Sequence, residues 1–281
     1  MPTAYRRDDL RGEFVQLLQP YVEEGEGFDA AQGRYERWFH ALNAIEDAEL
    51  ERVADSVWYE FGDCDPALAA GADDPEWIPQ DELRRRVRLY MEVLQARWPD
   101  PPPQERVEEG FVLRPLTVGD NDMDFDAVVG SREFLRRWEG RGWPADGFDL
   151  VQNRDDLERH ELEHRDGVAL TYTVLGPSRT ECLGCVYVHR LRRLLIAWNR
   201  PEVDVVHSGD EQAAVSFWVR PGRKDLGPPL MDVLKQWPAE RPFFHTNENC
   251  PEQVALFEES GLERRLAARV EGVRGRVLLF R

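Results

Sequence analysis

Lysine is almost missing from this 281-residue chain. It stands only at positions 224 and 235, and arginine supplies every other permanent positive side-chain charge. Cysteine is scarce as well: four scattered residues offer no disulfide framework. No run of about 18 apolar residues occurs, so a membrane-spanning helix is excluded. The opening Met1-Pro-Thr-Ala-Tyr-Arg-Arg-Asp-Asp9 lacks the apolar centre of a signal peptide. An excess of positive charge is also wanting. The formal net charge is -18, with 24 acidic against 11 basic residues up to Glu105 and 30 against 25 beyond it. Nucleic acid and anionic membrane both demand a basic footprint, so neither is expected as a partner. A soluble, cytoplasmic protein is expected. Its acidic surface reads first as a solubility device, and it would also draw in cationic substrates such as amines.

What is present is periodic. Leu10, Phe14, Leu17, Leu18 and Tyr21 share one helical face, and Tyr35, Trp38, Phe39, Leu42 and Ile45 share a second. Leu50, Val53, Ala54, Val57 and Trp58 form a third stripe after a break at Glu46-Asp47. After a loop from Gly62 to Pro79, the stripe Leu83, Val87, Tyr90, Met91, Leu94, Trp98 makes a fourth, with Asp81 and Glu82 suited to its N-terminus. These predict an acidic helical domain over residues 1–104, its aromatics serving as core. Pro99-Asp-Pro-Pro-Pro103 closes it as a stiff linker. Strand periodicity then takes over, and residues 105–281 are expected to form a second domain of α/β class. Phe111 to Leu116 opens it, Met123 to Trp138 is helical with a split at Gly130-Ser131, and Gly140 to Pro144 is loop. Val168 to Leu175 and Cys182 to Leu191 pair across the turn Gly176–Thr180, and Arg265–Val270 with Arg276–Phe280 make a closing hairpin.

Two metal-like spacings occur. His160-Glu-Leu-Glu-His164 has the H-E-x-x-H order of a zinc-protease helix. Its flanks, Asn153-Arg-Asp-Asp-Leu-Glu-Arg159 and Arg165-Asp166, are polar nearly all round, so a solvated surface helix is the expected reading, without metal. Cys182-Leu-Gly-Cys185 has no second C-x-x-C to complete a structural zinc site. On a regular strand its cysteines point to opposite faces, so they read as small apolar residues and not as a redox pair.

The chain is organised around Ala213 to Leu262. Ala213-Ala-Val-Ser-Phe-Trp-Val219 is a buried-strand run, and the loop Arg220–Pro229, with three prolines and two glycines, excludes regular structure. Leu230, Val233, Leu234 and Trp237 are helical, with Pro229 fit for the first turn and Pro238 closing. Pro242–Thr246 is a second strand and Pro251–Ser260 a second helix stopped by Gly261. With Val219-Arg-Pro before a glycine-bearing loop, and Asn249-Cys-Pro251 leading into Ala255-Leu-Phe-Glu-Glu-Ser-Gly-Leu262, this stretch resembles the GNAT superfamily of acyl-CoA-dependent N-acetyltransferases. Phe111–Leu116 looks like the family's first strand and Cys182–Val188 like a central one. The resemblance covers about Gly110 to Arg281.

The resemblance implies a mixed, mostly antiparallel sheet that splays between its fourth and fifth strands to admit acetyl-CoA as co-substrate. It implies acetyl transfer to a primary amine of a small molecule or peptide. Glu211, two residues before the strand Ala213–Val219, would be the general base. Backbone at Trp218 and Val219 would hold pantetheine and polarise the thioester; Gly222, Arg223, Lys224, Leu226 and Gly227 would hold the pyrophosphate; Asn249 and Phe257 would lie by the cofactor. Pro228 and Pro229 lack N–H donors and Asp225 repels phosphate. Phe257 stands where many members carry the tyrosine that protonates the leaving thiolate, and phenylalanine has no proton to give. The rival expectation is a non-catalytic binding module on a degenerate scaffold of this kind.

Overall fold

The computed structural model describes residues 7–23, 25–41, 48–70, 77–95, 98, 103–198, 212–239 and 241–281. The chain divides into two units, Met1–Ala96 with Leu195–Glu202, and Arg97–Leu194 with Val203–Arg281.

The first unit is helical. Helices α1 (Arg7–Glu23), α2 (Phe28–Ala41), α3 (Ala48–Gly62) and α4 (Gln80–Gln95) carry the four stripes. Phe14, Leu18, Tyr21, Tyr35, Val57, Leu83, Val87 and Leu94 meet in one core. Aromatic rings fill much of it: Tyr35 stacks on Phe61 with centroids 5.6 Å apart, and its hydroxyl donates to the Ala54 carbonyl at 2.5 Å. Leu42, Ile45 and the break at Glu46-Asp47 lie outside the described residues, as does the linker apart from Pro103. Trp98, read as the end of the fourth stripe, instead packs in the core of the second unit.

The second unit is built on one eight-stranded sheet of order β1-β2-β3-β4-β5-β6-β8-β7. Its strands are β1 (Arg106–Val107), β2 (Val112–Pro115), β3 (Leu170–Leu175), β4 (Cys182–Arg190), β5 (Ala213–Val219), β6 (Phe243–Asn247), β7 (Arg264–Arg269) and β8 (Arg276–Phe280). All neighbours are antiparallel except β5 and β6, which run parallel. Helices α5 (Asn121–Gly130), α6 (Arg132–Glu139) and α7 (Leu150–Arg165) follow β2. The expected split at Gly130-Ser131 separates α5 from α6. Asp149 caps α7, accepting from the amides of Val151 and Gln152 at 3.0 and 2.9 Å. A further helix, α8 (Leu191–Ala197), begins directly after β4.

The loop after β5 is more regular than its prolines predict. Pro221–Leu226 winds as 3-10 turns, interrupted at Arg223, and helix α9 (Gly227–Leu234) starts at once with Pro228 and Pro229 in its first turn. Proline is tolerated there because those N–H groups have no helical acceptor. Helix α10 (Pro251–Glu259) follows β6. The sheet thus has two apolar faces. Leu226, Leu230, Met231, Leu234 and Phe257 cover one side with Val186, Val215, Phe217 and Phe244. Ala127, Val128, Leu135 and Leu157 cover the other with Cys182, Cys185 and Trp218.

Candidate active site

Strands β5 and β6 share only two register pairs, Ala214 with Phe243 and Val215 with Phe244, and separate beyond them. The amide of Arg220 bonds the Leu183 carbonyl at 2.8 Å and that of Leu191 bonds Gln212 at 2.7 Å. Hydrogen-bonded pairs alternate along an antiparallel ladder, so Trp218 and Ser216 turn their backbone groups to β4. Phe217 and Val219 turn theirs toward the split. The backbone groups of Trp218 are thus engaged by β4. One acceptor on this edge is already taken: Gln253 of α10, buried, donates to the Phe217 carbonyl at 2.6 Å and accepts from Thr246 Oγ1 of β6 at 2.5 Å. This side-chain amide spans the split where the two strands no longer bond each other.

The described residues singled out from the sequence lie in the loop after β5, after the end of β6 and in α10. Lys224 is exposed, while the guanidinium of Arg223 is turned to its neighbour Asp225, Nε to Oδ1 at 3.2 Å. The Arg223 amide donates to the Arg220 carbonyl and Gly227 N–H to that of Lys224, leaving fewer donors for an anion than the spacing promised. Leu226 is buried, and a Cβ on Gly227 would press within 3.1 Å of Leu256. Gly222 faces open space. Asn249 is exposed but engaged, its Nδ2 donating to the Arg274 carbonyl at 3.1 Å and its amide to Asn247 Oδ1 at 2.9 Å. Phe257 is wholly buried, its ring 5.4 to 6.0 Å from those of Phe217, Phe244 and Phe280. Glu211 lies outside the described residues.

On the opposite face of β4 and β5 sits a polar and aromatic group that the sequence reading did not assemble. Tyr187 of β4 pairs with Ser216 of β5 and accepts from Trp218 Nε1 at 3.4 Å. The rings of His160 and Trp138 lie 5.4 and 6.0 Å from that of Tyr187. Burial pushes the Tyr187 phenol well above its ordinary value, so it stays protonated. Burial lowers His160 well below the usual imidazole range and brings His189, two residues along β4, down to about 3. Only strand alternation could have signalled this group, because Cys185, Tyr187 and His189 are successive residues of one face.

Two readings need correction. Helix α7 is not solvated all round: Asn153, Leu157 and His164 are buried. The H-E-x-x-H residues serve the fold separately. His164 Nδ1 accepts from the Thr171 amide at 3.1 Å, His160 Nδ1 lies 3.3 Å from Thr171 Oγ1, and Glu161 accepts from the Val118 amide at 2.7 Å. Among the described residues the two histidines belong to no metal-competent cluster. The C-x-x-C cysteines do not point apart. A bulge pairs Leu175 with Cys182 but Val174 with Gly184, an extra residue breaks the alternation, and both thiols turn to the same face.

The strand order, the single parallel pair and the split beside it define a GNAT-like α/β fold preceded by helices. No protein-family model matches the chain, and no curated protein does. Solved structures that resemble it include RimL, a ribosomal L7/L12 alpha-N-protein acetyltransferase in complex with coenzyme A, at 13% identity and TM-score 0.46, over 62% of this chain and 94% of that one. A putative ribosomal-protein-serine acetyltransferase from Vibrio cholerae matches at 16% identity and TM-score 0.46, over 64% and 97%. The microcin C7 self-immunity acetyltransferase MccE, in complex with acetyl-CoA and AMP, matches at 10% identity and TM-score 0.44, over 62% and 92%.

Proposed function

We propose that the chain transfers an acetyl group from acetyl-CoA to a primary amine, using the split between β5 and β6. One observation carries this reading: past Val215 the backbone of β5 has no strand partner on the β6 side, so Phe217 N–H and the Val219 amide and carbonyl form a ready edge for an amide-bearing chain such as pantetheine. Arg223 and Lys224 stand at the end of that edge, where a pyrophosphate would arrive. The Arg223–Asp225 pair is exposed and worth ~0–1 kcal/mol, whereas hydrogen bonds to charged phosphate oxygens are worth ~1.5–3 kcal/mol each, so the arginine yields to the ligand.

In this reading the amine nitrogen attacks the thioester carbonyl, whose developing negative charge is met by a β5 amide. The amine proton passes to a base, for which Glu211, directly or through water, remains our assignment. The departing sulfur takes a proton. Phe257 has none, and we assign this role to Tyr187, whose hydroxyl accepts from Trp218 and so keeps its own proton free to donate.

Pro228, Pro229 and the sealed Phe257 favour a second reading, a binding module that holds a partner or ligand without turnover. Calorimetric titration with acetyl-CoA separates the outcomes. Two missing amide donors at ~0.5–1.5 kcal/mol each, more when the acceptor is charged, weaken affinity by roughly ten- to a thousandfold against an intact loop. Binding between micromolar and millimolar is therefore expected, weakened at least ~tenfold in Arg223→Ala/Lys224→Ala. No heat at millimolar ligand sinks the enzyme reading. Binding without acetylation of any amine in a broad panel moves the assignment to the module.

A further inference from the structure

The bulge in β4 has a chemical consequence. It brings Cys182 and Cys185 together under Asp124 of α5, and all three are at most 3% exposed. Asp124 Oδ1 lies 3.9 Å from Cys182 Sγ and 3.5 Å from Cys185 Sγ, and the three ligand atoms are all within 4.8 Å of one another. The other carboxylate oxygen, Oδ2, accepts from Asn153 Nδ2 at 3.1 Å, which fixes the carboxylate plane and leaves Oδ1 for the thiols. Among the described residues Asp124 has no cationic partner. A carboxylate buried that deeply without a cation is costly, and such groups are normally paired or bound to metal.

We propose that Asp124, Cys182 and Cys185 bind a thiophilic divalent d10 ion of the zinc class. Geometry favours it. With bonds of ~2.3 Å to sulfur and ~2.0 Å to oxygen at a tetrahedral angle, the S···O edge is ~3.5 Å and the S···S edge ~3.8 Å. The observed 3.5 and 3.9 Å S···O separations need only small adjustment. Charge favours it as well. Binding releases two thiol protons and leaves two thiolates and a carboxylate around a doubly charged ion, with no change of oxidation state. Arg220 Nε donates to the Cys182 carbonyl at 2.7 Å and its Nη2 pairs with Asp126 Oδ2 at 2.7 Å, so the backbone at Cys182 is tied to a cation. Asn153 on the carboxylate is the kind of outer partner that orients a metal ligand. Three protein ligands leave a fourth position for water. The ion would clip α5 to β4 at Cys185, the residue paired with Trp218 beside the split.

Thiolate ligation requires the loss of both thiol protons, so affinity rises with pH. A reversible Cys182–Cys185 disulfide is the competing use of these atoms. It gives the carboxylate no role, since a disulfide neither donates to Asp124 nor neutralises it.

The test uses full-length protein, reduced and stripped with a chelator, and cadmium or zinc alone as probe. Cadmium is expected to produce a near-ultraviolet thiolate-to-metal charge-transfer band that saturates at one ion per chain, and zinc to displace it. The band should vanish in Cys182→Ser/Cys185→Ser. It should persist in Cys64→Ser/Cys250→Ser, which alters the two remaining cysteines, and Asp124→Asn should weaken affinity at least tenfold. Should the first variant not fold, persistence in the second still locates the site, because no other thiols remain. A reduced protein that gives no band overturns the proposal, as does a band lost in Cys64→Ser/Cys250→Ser. A Cys182–Cys185 disulfide in protein isolated without reductant, with no ion taken up after reduction, assigns the pair to redox chemistry instead.

Discussion

Single side chains packed against β5 separate a prediction of stability from one of chemistry. Gln253 answers two strands at once, its Nε2 donating to the Phe217 carbonyl and its Oε1 accepting from Thr246. Gln253→Leu keeps the volume but leaves a buried carbonyl unpaired. It should cost ~1–3 kcal/mol, read as a lowered urea midpoint at unchanged slope. A Tm equal to that of the parent would mean that the carbonyl finds water, and the split is wetter than its packing implies. Tyr187 makes a different kind of demand. Its phenol is held protonated by burial, so Tyr187→Phe removes a proton and little volume. Acetyl transfer should fall by ~10²–10⁴-fold with acetyl-CoA affinity kept, the mark of a general acid and not of a packing residue. An unchanged kcat would return the proton to water.

At the scale of elements, the bulge in β4 does most to shape this molecule. Gly184 sits where the extra residue is absorbed, and a Cβ there would fall 1.9 Å from the Trp218 carbonyl oxygen on β5. The clash is with backbone, which has no rotamer to escape into. Gly184→Ala should therefore destabilise by at least the ~1–3 kcal/mol of core overpacking, measured by denaturant unfolding. It should also loosen the pairing of β4 with β5, visible as faster amide exchange at Trp218. A neutral substitution would show that the strand can re-form its regular alternation, which would send the two cysteines to opposite faces. The loop after β5 illustrates a related point. Its prolines look like breakers when counted, yet Pro228 and Pro229 fall in the first turn of α9, where they cost the helix nothing and the proposed anion site two donors.

For the whole molecule, the sequence places a boundary near the Pro99–Pro103 linker, and we propose that the segment 105–281 holds the transferase unit. Leu195–Glu202 is grouped with the helical unit instead, and Ile196 packs on its core. A fragment beginning at Glu105 would then present Leu195, Ile196 and Trp198 to water. Such a fragment should bind a hydrophobic dye strongly and melt well below the full chain. If it is monomeric, silent to the dye and equally stable, that segment is dispensable and the simple two-part division holds. The acidic excess of the first part is a matter of composition, and no helix among the described residues is long and apolar enough to cross a membrane.

Sequence alone determined the regular parts, since a 3.6-residue or 2-residue period is local and repeats until noise averages out. The stripes of α1 to α4, the limits of β5, the break between α5 and α6 and the closing hairpin were all legible in this way. The mixed sheet and its split were reached only through the resemblance carried by Val219-Arg-Pro and Asn249-Cys-Pro251, and the strand order was not reached at all, because pairing between distant strands leaves no local period. Tertiary structure decided what depends on one residue out of step. A single extra residue in β4 reversed the facing of Cys182, which no rule of strict alternation can foresee. The same holds for α7, whose short, polar stripe hides that His164 is buried against β3 because an amide there needed an acceptor. Gln253 gave no signal at all in the sequence. Its importance arises only where two strands part and one carbonyl is left between them.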